Sequence, residues 1–136
     1  MKNNTIKWGI IGLGKIANKF ATDLAIVENT QLVAVASRSQ YKADKFAAKF
    51  NVKTTYNSYV KLVKDSSVDA IYIATPHSFH KEHALLCMQN KKPVLCEKPF
   101  AMNLHEVEEM IATARENNVL LMEAFGHSFY LILSMF

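Results

Sequence analysis

The chain holds only two cysteines, Cys87 and Cys96, too few for a disulfide framework or a structural zinc site. They read as reduced, buried thiols without a chemical role. No apolar run approaches the roughly 18 to 20 residues a membrane span requires, so no membrane partner is expected. The opening Met1-Lys2-Asn3-Asn4 leads into a strand pattern with no signal-peptide core, which points to a cytoplasmic location. Nor is there a block of like charge. The net charge of +4 comes from scattered lysines, a solvated face with a mild preference for anions and no nucleic-acid footprint. Glycine is scarce too, at four residues, and that scarcity makes its placement informative.

What the sequence does contain is alternation. Half of its 136 residues are apolar, enough to bury one core, and one domain is expected over residues 1–125. Runs rich in β-branched residues occur at Ile6 to Ile11, Leu32 to Ala36, weakly at Val52 to Thr55, then at Ala70 to Ala74, Pro93 to Cys96 and Val119 to Met122. Segments of helical period separate them. Ile16, Ala17, Phe20, Ala21 and Leu24 share one stripe; Ser39, Asn57 or Ser58, and Asn103 with Glu106 offer side-chain caps to later helices. This is the pattern of an α/β fold, a doubly wound and mostly parallel sheet of Rossmann type. Its ligand is expected beyond the carboxyl ends of the strands.

Three of the four glycines, Gly9, Gly12 and Gly14, lie within or just after the first strand. Gly12-Leu13-Gly14-Lys15-Ile16-Ala17 matches G-x-G-x-x-G/A. Gly12 permits a tight turn, Gly14 admits a pyrophosphate close to the backbone, and Ala17 lets the helix approach the strand. The free amides of the following helix carry partial positive charge and suit a diphosphate. The second strand closes with Ala36-Ser37-Arg38-Ser39, without the carboxylate an NAD site offers to the ribose 2′-hydroxyl. Arg38, assisted by Ser37, is suited to a 2′-phosphate, so NADP is the expected cofactor, with NAD possible.

Two further strand ends carry polar groups. Thr75-Pro76-His77-Ser78-Phe79-His80 follows the fourth strand; Thr75 and His80 are placed to hydrogen-bond ribose or substrate, or Thr75 and Ser78 merely satisfy turn amides. His77, His80 and His83 recur every three residues, but this spacing drifts around a helix and no metal site is expected. Cys96-Glu97-Lys98-Pro99-Phe100 follows the fifth strand. Lys98 there is a candidate proton donor to a carbonyl undergoing reduction, or a holder of a hydroxyl undergoing oxidation. The bond before Pro99 is a candidate for the cis form.

Together with Met122-Glu123-Ala124-Phe125, these segments resemble the glucose-fructose oxidoreductase, inositol dehydrogenase and MocA group, and within it the dihydrodiol dehydrogenase-like branch, over roughly residues 6–125. The resemblance implies an oxidoreductase moving hydride between a nicotinamide ring and a hydroxyl-bearing carbon of a sugar, polyol or dihydrodiol. It implies cofactor contacts from Gly12, Leu13, Gly14, Lys15, Ile16, Ser37, Arg38, Thr75, Pro76, His77, His80, Glu97 and Lys98, with Lys98 at the chemistry. It also implies a second, substrate-binding domain, which is not in this chain.

Residues 126–136, Gly126 to Phe136, depart from the family pattern as an apolar tail. They suggest a truncated or frame-shifted end, or else a short extra strand or helix capping the sheet. Two readings follow: a dehydrogenase's cofactor half with little activity alone, or a non-enzymatic NADP-binding sensor. In both, the tail and an uncovered apolar sheet face favour self-association.

Overall fold

The protein is described by a computed structural model covering residues 5–99, 101–125 and 129–134. Its strands are β1 (Ile6–Ile11), β2 (Thr30–Ala36), β3 (Thr54–Tyr56), β4 (Ala70–Ile73), β5 (Val94–Glu97), β6 (Leu121–Phe125) and β7 (Phe129–Ser134). The helices are α1 (Lys15–Leu24), α2 (Gln40–Phe50), α3 (Tyr59–Val63), α4 (His80–Gln89) and α5 (Leu104–Asn117). One sheet takes the order β3-β2-β1-β4-β5-β6-β7, with the first six strands parallel and β7 antiparallel to β6. The order reverses between β1 and β4, so their carboxyl ends open the crevice expected of a Rossmann sheet.

Alternation along the strands feeds two cores. Ile10, Val35, Tyr72 and Leu95 point to the α1–α2 side, where they meet Ala17, Ala21, Phe46 and Ala47. Ile11, Ala34, Ile71, Ile73, Val94 and Cys96 point the other way, onto α3, α4 and α5. Both faces are therefore apolar, which is why the strands read as unbroken hydrophobic runs. The α1 stripe buries Ala17, Ala21 and Leu24, but Ile16, the second residue of the helix, is 38% exposed and turns toward the crevice.

The caps follow the sequence closely. Ser39 accepts from the Lys42 amide, Ser58 from the Lys61 amide and Asn103 from the Glu106 amide. Glu106 reaches back one residue further than a capping box requires, accepting from the Met102 amide at 2.9 Å.

Two strand starts differ from expectation for one reason. Asn51 and Asn118 end α2 and α5 in the left-handed conformation, and the next residues, Val52 and Val119, donate to Ala47 O and Ala114 O. That bonding closes the helix and buries the valine, delaying β3 to Thr54 and β6 to Leu121.

Tyr72, Leu95 and Ala124 are each under 5% exposed, and the most open large apolar side chains among the described residues, Ile26, Tyr41 and Leu104, lie off the sheet. Residues 126–128, 135 and 136 lie outside the described residues, as do the side chains of β7.

Candidate cofactor-binding site

The turn after β1 is built on Gly12, whose φ of +89° suits glycine. Its amide donates to Ala36 O at 3.2 Å, and a Cβ there would stand 2.7 Å from both Cγ2 and the amide nitrogen of Thr75. The turn thus rests directly against the end of β4. Gly14 is the opposite case: a Cβ built on it meets nothing within 4 Å. It caps α1 without a side-chain hydrogen bond, and no acidic residue occupies the first turn. The first amides of α1 are left for an outside acceptor.

In front of these amides opens a cleft of about 720 Å³. Gly12, Leu13, Gly14, Lys15 and Ile16 line one wall, Ser37 and Arg38 the second, Thr75 and Pro76 the third. Nine of the candidate site residues therefore converge. Ser39, Lys42, Tyr59 and Ala74 complete the lining, which contains three cationic side chains and no carboxylate. Lys42 and Tyr59 had no assigned role in the sequence. Their signal was position alone, in the first turns of α2 and α3, the helices leading out of β2 and β3. Burial raises the Tyr59 phenol above its usual range, and the Arg38 guanidinium opposes that rise. A smaller hollow of about 230 Å³ adjoins the cleft, sharing Arg38, Tyr59, Thr75 and Pro76 and adding Phe79, Glu82 and His83.

The turn after β4 is held from inside. Thr75 is 6% exposed, and its hydroxyl lies 2.8 Å from Nδ1 of His83. Desolvation holds the His83 imidazole below its ordinary range, with Glu82 opposing. His80 is 1% exposed; its Nε2 lies 2.8 Å from Thr75 O and its Nδ1 2.7 Å from Pro99 O. The ring is thus spent on two backbone carbonyls and does not line the cleft, in contrast to the ligand contact the sequence suggested. His77 is exposed, in a short 3-10 turn (His77–Phe79) outside the cleft lining.

Glu97 and Lys98 sit at the end of β5, followed by a cis bond to Pro99. Neither lines the large cleft. Glu97 accepts a hydrogen bond from the Tyr72 hydroxyl and borders a hollow of about 70 Å³ on the α1 side, which Ile16 also lines. Lys98 is exposed. Phe100 lies outside the described residues. Among the described residues, no three His, Cys, Asp or Glu side chains gather as a metal site, and no helix is long and apolar enough to cross a membrane.

Residues 6–125 match the Gfo/Idh/MocA oxidoreductase family, NAD-binding Rossmann fold. The chain is 47% identical over 126 residues to a trans-1,2-dihydrobenzene-1,2-diol dehydrogenase of Xenopus tropicalis, covering 91% of this chain and 38% of the relative. It is 45% identical over 124 residues to a scyllo-inositol 2-dehydrogenase (NADP(+)) of Bacillus subtilis, with the same two coverages. Among solved structures, a 3-ketoreductase of Actinomadura kijaniata in complex with TDP-benzene and NADP superposes with a TM-score of 0.85 at 33% identity. That superposition covers 90% of this chain and 39% of the other. The chain spans about 38% of the length of the curated relatives it matches.

Proposed function

The chain belongs to the Gfo/Idh/MocA oxidoreductase family as its NAD(P)-binding Rossmann domain, and from that premise we propose that the cleft beside Gly14 takes NADP in preference to NAD. We further propose that the domain serves a dehydrogenase acting on a hydroxyl-bearing small molecule such as a sugar, polyol or dihydrodiol.

The residues present fit a dinucleotide. The uncapped start of α1 and the empty space over Gly14 suit a diphosphate, for which a side chain at position 14 would compete. The adjoining hollow, walled by Tyr59, Phe79 and His83, suits a flat heteroaromatic ring. Arg38 lies between the two, and Ser37, whose Oγ accepts from the Ser39 amide, closes the floor.

One observation carries the preference for NADP: the end of β2 brings a guanidinium and no carboxylate to the cleft. A carboxylate would accept from a ribose 2′-hydroxyl and repel a 2′-phosphate; Arg38 does the reverse. Charge-assisted hydrogen bonds of about 1.5–3 kcal/mol correspond to roughly ten- to a hundredfold in affinity.

A bound nicotinamide dinucleotide supplies the hydride donor or acceptor. The protein's part is to bind and orient it and, through Lys98, to hold the substrate hydroxyl and its proton. The activities of the relatives, a dihydrodiol dehydrogenase and an inositol dehydrogenase, support a vicinal hydroxyl compound as substrate.

Fluorescence titration with NADPH and NADH tests the cofactor reading. Arg38→Ala is expected to weaken NADPH about ten- to a hundredfold and to leave NADH nearly unchanged. Equal weakening of both, or no binding of either to the wild type, would overturn it.

A further inference from the structure

Tyr72 takes no part in the cleft, yet the structure gives it an unusual setting. It stands on β4 at 2% exposure, among Ile10, Leu95 and Ala124, where an aliphatic side chain would pack as well. A phenol hydroxyl buried in such company needs a partner.

The sheet register supplies one. Tyr72 lies opposite Leu95, so Glu97, two residues further along β5, projects from the same face on the diagonal. A tyrosine reaches across that diagonal, and its hydroxyl donates to the Glu97 carboxylate. The ring is not free to turn away. Phe20 of α1 stacks on it at 3.9 Å with 9° between planes, and Trp8 of β1 meets Phe20 edge-on at 5.4 Å. Three aromatic residues from β1, α1 and β4 therefore aim one hydroxyl at one carboxylate.

That carboxylate lies at a boundary. Glu97 borders the small hollow on the α1 side, and Ile16 lines both this hollow and the large cleft. Ile16 is thus the residue past which a ligand held by the first amides of α1 would have to pass to reach Glu97. A carboxylate has about four acceptor positions, and the tyrosine takes one, leaving capacity for a sugar hydroxyl.

We infer that Tyr72 is a positioning residue, holding Glu97 toward the nicotinamide-side ribose of the cofactor. This rests on the cofactor reading above.

The experiment compares two ligands on the 136-residue chain by isothermal titration: NADPH and adenosine 2′,5′-bisphosphate, which lacks the nicotinamide half. Tyr72→Phe removes the hydroxyl and keeps the ring stack. It is expected to weaken NADPH on the order of tenfold, the scale of a hydrogen bond to a charged group, and to leave the bisphosphate within about twofold. Glu97→Gln should show the same split, and the double variant should be no worse than the poorer single, since both changes break one interaction. A general packing defect would weaken both ligands alike, and that result overturns the inference. Unchanged NADPH affinity in Tyr72→Phe overturns it while leaving the cofactor reading standing. A wild type that binds neither ligand removes both together.

Discussion

Replacing Gly12 and Gly14 by alanine, one at a time, is expected to separate two demands that one sequence motif combines. At Gly12 the new methyl faces φ of +89°, a conformation costing an L-residue roughly 1–2 kcal/mol. It would also sit 2.7 Å from the Thr75 amide nitrogen and 2.8 Å from the Ala74 carbonyl carbon. These are backbone atoms of a buried turn, so relief requires moving the end of β4, an overpacking cost of about 1–3 kcal/mol. A destabilisation of about 3 kcal/mol follows, or on the order of 10 °C in Tm for a chain of this length. At Gly14 the backbone is extended, with φ −94° and ψ −158°, and no heavy atom lies within 4 Å of the new methyl. Stability should change by less than about 0.5 kcal/mol, while NADPH affinity falls at least about tenfold because the methyl stands where the diphosphate would sit. Urea denaturation measures the first quantity and fluorescence titration the second. If Gly14→Ala unfolds as readily as Gly12→Ala, or binds NADPH like the wild type, the division of roles is wrong.

Two other predictions concern buried titratable groups. Because burial depresses the folded-state pKa of His83, its contribution is fully present above the unfolded value near 6.5 and is lost as pH falls from there through the folded value. Stability should therefore decline with acid by at most about 1.4 kcal/mol per pH unit in that window, and the difference between wild type and His83→Gln in urea melts should follow the same window; parallel curves refute it. Cys87 and Cys96 are fully buried and burial pushes both thiols well up, so a thiol reagent at pH 8 should modify them only after unfolding. Rapid modification of the native protein would contradict that burial.

The strands, helices and caps were legible because their signals are local: β-branched runs, a 3.6-residue period, and a serine or asparagine before α2, α3 and α5. Val52 and Val119 show where local signals mislead. Each is a β-branched apolar residue at the edge of a strand pattern, yet each follows an asparagine in the left-handed conformation and belongs to the helix stop. The tail shows a different limit. Its apolar run admitted a truncated or frame-shifted end as well as a short extra strand or helix, and residues 129–134 pair antiparallel with β6. Within the site, the glycine turn and the residues after β2 were readable because a known loop geometry gives them meaning. His80 was not. That its ring would spend both nitrogens on carbonyls 19 residues and five residues away depends on how β4 and β5 approach, which no short window contains. The same holds for Glu97 and Tyr72, whose meeting depends on sheet register.

The buried His80 bridge ties the loop after β4 to the loop after β5, whereas Arg38 and Ser37 hang from β2 beyond its reach. On the proposed reading of Arg38, substitutions aimed at coenzyme preference fall at the β2 corner of the crevice, which that bridge does not touch. Alterations around Pro76 or Lys98, by contrast, will be felt in both loops at once and call for compensation in pairs. An engineer seeking to retune selectivity should begin at the β2 corner.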